Sequence, residues 1–160
     1  MDNQRKIKDV PPRLFTIFDS YRPPLYLVTF CTLHRIKCLD NVHVHSSFKE
    51  YCIEAGKQGK ASVGRYVIMP DHVHLFVRIS IECKLGIWMR GLKRYISNGV
   101  KENGGAEIIW QPGFFDHLLR NSESYSEKAN YVLMNPVRAG ITEKAEDWPY
   151  KGEIMCVYMS

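Results

Sequence analysis

Three groups of residues carry types and spacings that chemistry can use. The first is Asp71-His72-Val73-His74-Leu75-Phe76-Val77. On a strand, successive side chains point to opposite faces. Val73, Leu75, Val77 and Ile79 then share an aliphatic face, and His72, His74, Phe76 and Arg78 share a wet one. Two imidazoles stand about 7 Å apart along a rigid element. That is half of a site for a divalent metal; two polar residues on the open face of a sheet would give the same letters. The second group centres on Tyr131, in Asn130-Tyr131-Val132-Leu133-Met134-Asn135-Pro136. The apolar stripe of this helix runs through Tyr125, Ala129 and Val132, and at 100° per residue Tyr131 lies on the flank with Lys128 and Asn135. Asn135 is its i+4 neighbour. A phenol with an amide oxygen one turn away can act beside a metal. The plain alternative for a tyrosine is half-buried packing, which Tyr125, on the stripe, fits better. The third group is Arg90, Arg94, Ser97 and Lys101, on one stripe of a helix with Lys93 adjacent. Residues 84–101 hold five basic side chains and no acidic one. Such a face can track a phosphate backbone or simply be solvated.

His43-Val44-His45 is an internal control. It repeats the histidine spacing without an alternating apolar face, in what reads as a polar loop. A structural or surface role is expected for it, because context has to confirm a short motif.

Elements must position these groups. Residues 25–33 (LYLVTFCTL) read as a strand, and 34–44 as polar loop. Ser47 and Glu50 form a capping box. Phe48, Tyr51, Cys52 and Ala55 follow at helical spacing, and Gly56 and Gly59 stop the helix. Residues 61–69 and 72–79 read as strands joined tightly by Pro70-Asp71. Leu85, Trp88, Leu92 and Ile96 mark a second helix over 84–101, ended by Gly104-Gly105. Residues 107–110 and 114–119 read as strand, interrupted by Pro112-Gly113. Ser124 and Glu127 open a third helix that ends near Pro136. The order β-α-β-β-α-β-α predicts an α+β fold. It is the ferredoxin-like split βαβ antiparallel sheet with an added C-terminal helix bearing the tyrosine. One catalytic domain over 23–148 is expected, between a basic arm (1–22, with Arg5, Lys6, Lys8, Arg13 and Arg22) and a tail (149–160).

Composition sets the outer limits. The chain has 160 residues, 22 Lys plus Arg against 17 Asp plus Glu, and 45 % apolar residues. Those proportions exclude a disordered or low-complexity chain and suit one core. No apolar run approaches the roughly 18–20 residues of a membrane helix. The polar first eight residues do not read as a secretory signal. Five cysteines without a C-x-x-C argue against a disulfide framework or structural zinc, so a reducing cytoplasm is expected. The net charge of +5 permits a nucleic-acid partner without requiring one.

Residues 66–77 (YVIMPDHVHLFV) with the later NYVLMNPVRAG segment resemble the single-tyrosine HUH transposases, and most of all their REP-associated tyrosine transposase branch. Residues 110–119 (WQPGFFDHLL) resemble the stretch those proteins carry before the tyrosine helix. The likeness spans about residues 14–148. It implies that His72 and His74 bind a divalent metal, Mg²⁺ or Mn²⁺. It also implies that Tyr131 is the nucleophile and that Asn135, where some relatives have glutamine, completes the metal site. The implied reaction is cleavage and rejoining of single-stranded DNA through a 5′-phosphotyrosine, beside a DNA hairpin. Monomeric and homodimeric relatives both exist. Two other classes fit the residues: a non-catalytic ferredoxin-like hairpin-binding module, decayed or domesticated, and a metal hydrolase without covalent catalysis. The second lacks a third ligand and a general base.

Overall fold

The computed structural model describes residues 23–120 and 122–157, without the side chains of 122–124. The basic arm at 1–22 lies outside the described residues. Five antiparallel strands form one sheet in the order β4-β1-β3-β2-β5. They are β1 (Leu25–Cys31), β2 (Ala61–Ile68), β3 (His72–Ile79), β4 (Phe115–Leu119) and β5 (Lys151–Glu153). Among the described residues the α-helices are α1 (Val42–Lys57), α2 (Leu85–Glu102), α3 (Ser122–Leu133) and the short α4 (Asn135–Arg138). The first four strands and two helices give the expected ferredoxin-like arrangement.

The sheet is covered on both faces. Val28, Phe30, Val73, Leu75 and Val77 meet Phe48 and Cys52 of α1 and Trp88, Leu92 and Ile96 of α2. On the other face, Val67, Phe76 and Leu119 pack under Tyr125, Ala129 and Val132 of α3 and under Trp148. This corrects one expectation. The histidine face of β3 is not open along its length: Phe76 is fully buried, with the Tyr125 ring 4.9 Å away. His72, His74 and Arg78, on either side of it, stay partly accessible. A bulge in β2 between Val63 and Tyr66 keeps both, three residues apart, on the α1–α2 face.

Other departures have local causes. Helix α1 starts five residues before Ser47, because Asn41 Oδ1 accepts from the backbone N–H groups of His43 and Val44. His43 and His45 therefore sit in a first helical turn, not a loop. Ser47 has a packing role instead: a Cβ on Gly99 of α2 would collide with its Oγ, so the two helices cross closely there. Residues 107–110 are not a strand. Only Trp110 forms a bridge, to Thr32, while its indole donates to Ser97 Oγ and its ring lies 5.3 Å from Phe30. The flanking Gly-Gly and Pro-Gly pairs leave too few residues for a ladder. Helix α3 begins at Ser122, and the Ser124 side chain lies outside the described residues.

The final segment is part of the sheet. β5 pairs with β2, Trp148 Nε1 donates to the Ile68 carbonyl at 2.9 Å, and Val157 is buried. Residues 149–160, expected as a tail beyond the catalytic domain, thus include a sheet strand, and three residues are too short to show its alternation in the sequence.

Candidate active site

The strand register builds the site. His74 lies opposite Thr29 of β1, and His72 opposite Cys31. The backbone spacing of about 7 Å narrows at the side chains, where the two imidazole centroids are 4.8 Å apart, edge to face at 83°. One cation can reach both rings at that separation.

A hydrogen bond selects the nitrogen that His72 leaves free. His72 Nδ1 is 2.7 Å from Asp71 Oδ1. A carboxylate only accepts, so Nδ1 carries the proton and Nε2 keeps a lone pair. Arg35 Nη2 also comes within 3.1 Å of that nitrogen; with Nδ1 protonated this approach is not a hydrogen bond. The firm bond of Arg35 is from Nε to Asp71 Oδ2, at 3.0 Å. His74 Nδ1 lies 2.7 Å from Thr29 Oγ1; when Nδ1–H donates to that hydroxyl, Nε2 again is the free base. A carboxylate or hydroxyl behind each imidazole is the support a metal-ligating histidine uses. The donors present therefore fit a divalent metal at His72 and His74. Among the described residues, no third His, Cys, Asp or Glu joins them in a cluster.

The electrostatics keep both rings neutral at ordinary pH. Burial, with like charge from His72, Arg138 and Arg35, pushes His74 down to about 3. Burial also lowers His72, against a partial rise from its bond to Asp71. Burial raises the Asp71 carboxyl, but its bonds to His72 and Arg35 outweigh that and hold it below the usual range. Neutral imidazoles have no proton to displace when they bind a metal. Arg35 reaches this network from a backbone at φ 56°, next to His34 at φ 57°. Left-handed conformations are uncommon for such residues and cost free energy; the bond to Asp71 helps hold one here.

Helix α3 packs over the same face of the sheet, against β2 and β4. Tyr131 is 63 % exposed, whereas Tyr125 is 4 % exposed and packed on Phe76. The two tyrosines thus occupy the places their helical phases predicted. The helix loses regularity at Met134 and resumes as α4, with Pro136 in its first turn, where a missing N–H is harmless. Gly140, at φ 74°, closes α4. Asn135 Oδ1 accepts from Arg138 Nη2 at 2.7 Å.

The basic helix is elsewhere. Arg90, Arg94 and Lys101 are exposed on α2, in the layer on the opposite side of the sheet from the histidines. Lys93 departs from the expected cationic face. It is 8 % exposed, and its Nζ donates to the carbonyls of Gln111 and Gly113 at 3.0 and 2.6 Å. Its ammonium holds the approach to β4 in place. His45 is engaged in packing too: its Nε2 is 2.7 Å from the Tyr66 hydroxyl.

The sequence reading missed Thr29, Arg35 and Arg138, and saw Asp71 only as a turn residue. Asp71 adjoins His72, and Arg138 stands i+3 from Asn135, so both had a spacing signal. Arg35 had none, being 37 residues from the histidine it approaches.

A ferredoxin-like sheet with paired histidines on a central strand and an exposed tyrosine on a covering helix defines a recognisable class. The chain belongs to the family described as Transposase IS200 like, whose model matches residues 24–133. That span includes His72, His74 and Tyr131 and stops short of Asn135. The chain is similar to a REP-associated tyrosine transposase of Escherichia coli K12, 27 % identical over 89 residues, covering 55 % of this chain and 52 % of the relative. A Haemophilus influenzae relative is 29 % identical over 94 residues, covering 52 % and 53 %. The chain thus spans about half the length of these curated relatives. Its fold is similar to that of a solved REP-associated tyrosine transposase bound to a REP hairpin. The TM-score is 0.64 at 22 % identity, covering 82 % of this chain and 77 % of that one. Among the described residues, no helix is long and apolar enough to cross a membrane.

Proposed function

We propose that this chain is a metal-dependent single-stranded DNA endonuclease and strand transferase that works through a 5′-phosphotyrosine. The observation that carries the reading is the pairing of two neutral, Nδ1-anchored imidazoles with an exposed Tyr131 on the helix covering the same sheet face. A divalent metal, Mg²⁺ or Mn²⁺, held by His72 and His74 with Asn135 as a third donor, would polarise the scissile phosphate and offset its charge.

The chain's own residues do the rest. Asp71 and Thr29 fix the imidazole rings. The Tyr131 hydroxyl oxygen forms a bond to phosphorus as the P–O3′ bond breaks. The 3′ oxygen leaves with that electron pair and takes up the proton the phenol gives up. The covalent link keeps the phosphodiester's bond energy, so another 3′-OH can reverse the step and join strands. Single-stranded DNA leaves the backbone accessible to this attack. A hairpin beside the cut site is the partner suggested by the solved relative, which is bound to one. Arg90, Arg94 and Lys101, on the other side of the sheet, would hold phosphates of DNA that runs beyond the site.

The test is a denaturing-gel assay for a covalent adduct on single-stranded hairpin oligonucleotides with Mg²⁺ or Mn²⁺. The native chain should form the adduct, and Tyr131→Phe should form none. An adduct that survives in Tyr131→Phe removes the nucleophile assignment. Hairpin binding without any adduct, under either metal, would favour the non-catalytic module.

A further inference from the structure

Arg138 lies seven residues beyond Tyr131 and three beyond Asn135, and its side chain touches both. Its guanidinium carbon is 3.6 Å from the Tyr131 ring centroid. Nη2 donates to the Tyr131 carbonyl at 2.6 Å and to Asn135 Oδ1 at 2.7 Å. The other end of that amide, Nδ2, is buried and has no hydrogen-bond partner. Arginine has no acceptor, so turning the amide over would set donor against donor. The guanidinium therefore fixes which way the Asn135 oxygen points. The same cation adds like charge at His74.

We propose that Arg138 and a metal cation are alternative partners of one oxygen, Asn135 Oδ1, so that Arg138 sets how tightly the site takes its metal. The inference rests on the reading of His72, His74 and Asn135 as the metal donors. Two cations at bonding distance from a single amide oxygen repel. Asn135 must leave Arg138 before its oxygen can ligate. The unpartnered Nδ2 shows that the present pose leaves part of the amide unsatisfied, which makes the exchange less costly. Once released, the planar fork of Arg138 stays beside Tyr131 and suits a phosphate. With Asn135 serving as a metal donor, the guanidinium would be left to meet the DNA backbone instead of the amide. Arg138 acts here as a positioning residue for the nucleophile and a competitor for the ligand.

The experiment is Mn²⁺ titration of the DNA-free full chain by calorimetry. The native chain should bind Mn²⁺, and His72→Ala with His74→Ala should not. Arg138→Ala should bind about tenfold tighter, the size of one lost hydrogen bond to a charged group. Arg138→Lys, which keeps the charge and loses the fork, should fall between. In an Asn135→Ala background, Arg138→Ala should give no gain. Equal or weaker binding by Arg138→Ala overturns the competition and leaves the metal site standing. A gain that persists without Asn135 also overturns it, because charge repulsion alone then explains the effect. If neither the native chain nor Arg138→Ala binds Mn²⁺, or if the double histidine variant binds as well as the native chain, the metal reading fails and the competition fails with it.

Discussion

His74 shows how one residue's surroundings decide its chemistry. Burial and neighbouring positive charge push it to about 3 in the fold, against about 6.5 in an unfolded chain. The unfolded chain therefore takes the proton first as the pH falls. The stability His74 contributes is complete above pH 6.5, declines as the pH falls, and is gone below about 3. Asp71, held below the usual carboxylate range, adds a loss at lower pH, beneath about 3.8. Urea midpoints of the metal-free chain in chelator should drop between pH 6.5 and 4, and His74→Gln should flatten that slope. An unchanged slope would mean that His74 is not held neutral by its site. At this scale the histidines and Tyr131 were legible because alternation and helical phase act within a few residues. Arg35 was not, because its place depends on a positive φ and on a strand far along the chain. Thr29 was equally hidden: its role follows from cross-strand register, which one strand cannot reveal alone.

At the scale of elements, small residues set the distances. Gly99 and Ser47 let α2 lie close on α1, and Gly91 does the same beside Tyr51. Gly99→Ala should cost about 1–3 kcal/mol by overpacking, measured by urea unfolding. A cost under a few tenths would mean the helices separate freely at that point. This crossing was not readable from the sequence, where Ser47 and Glu50 looked like a helix start. Asn41 caps more strongly because its oxygen serves two backbone N–H groups, and the capping-box letters were left in the helix interior. Strand β4 also gains a meaning from register. Phe115 lies opposite Thr29, in the row that contains His74, and is 64 % exposed. An exposed ring in that row leaves an apolar surface at the edge of the site.

Across the whole molecule, the sheet separates two kinds of surface. The histidines and α3 occupy one side, and the free cations of α2 occupy the other. Their separation gives distinct expectations for binding and for chemistry. Arg90→Ala with Arg94→Ala should lower the slope of log affinity against log salt for single-stranded DNA by about 1.4, or about 0.7 per cation. The adduct formed per bound DNA should stay the same, since neither arginine shares a layer with Tyr131. An unchanged slope would remove α2 from the DNA path. The order of strands and helices was readable because each carries its own periodicity, whereas the three-residue strand β5 is too short to show one. That short strand has a consequence for handling the protein. β5 covers the backbone of β2 at Arg65, Tyr66 and Val67, and Trp148 anchors the segment from the buried side. A chain clipped before Lys151 by a protease would present those unpaired N–H and C=O groups to other copies, and such an edge invites aggregation.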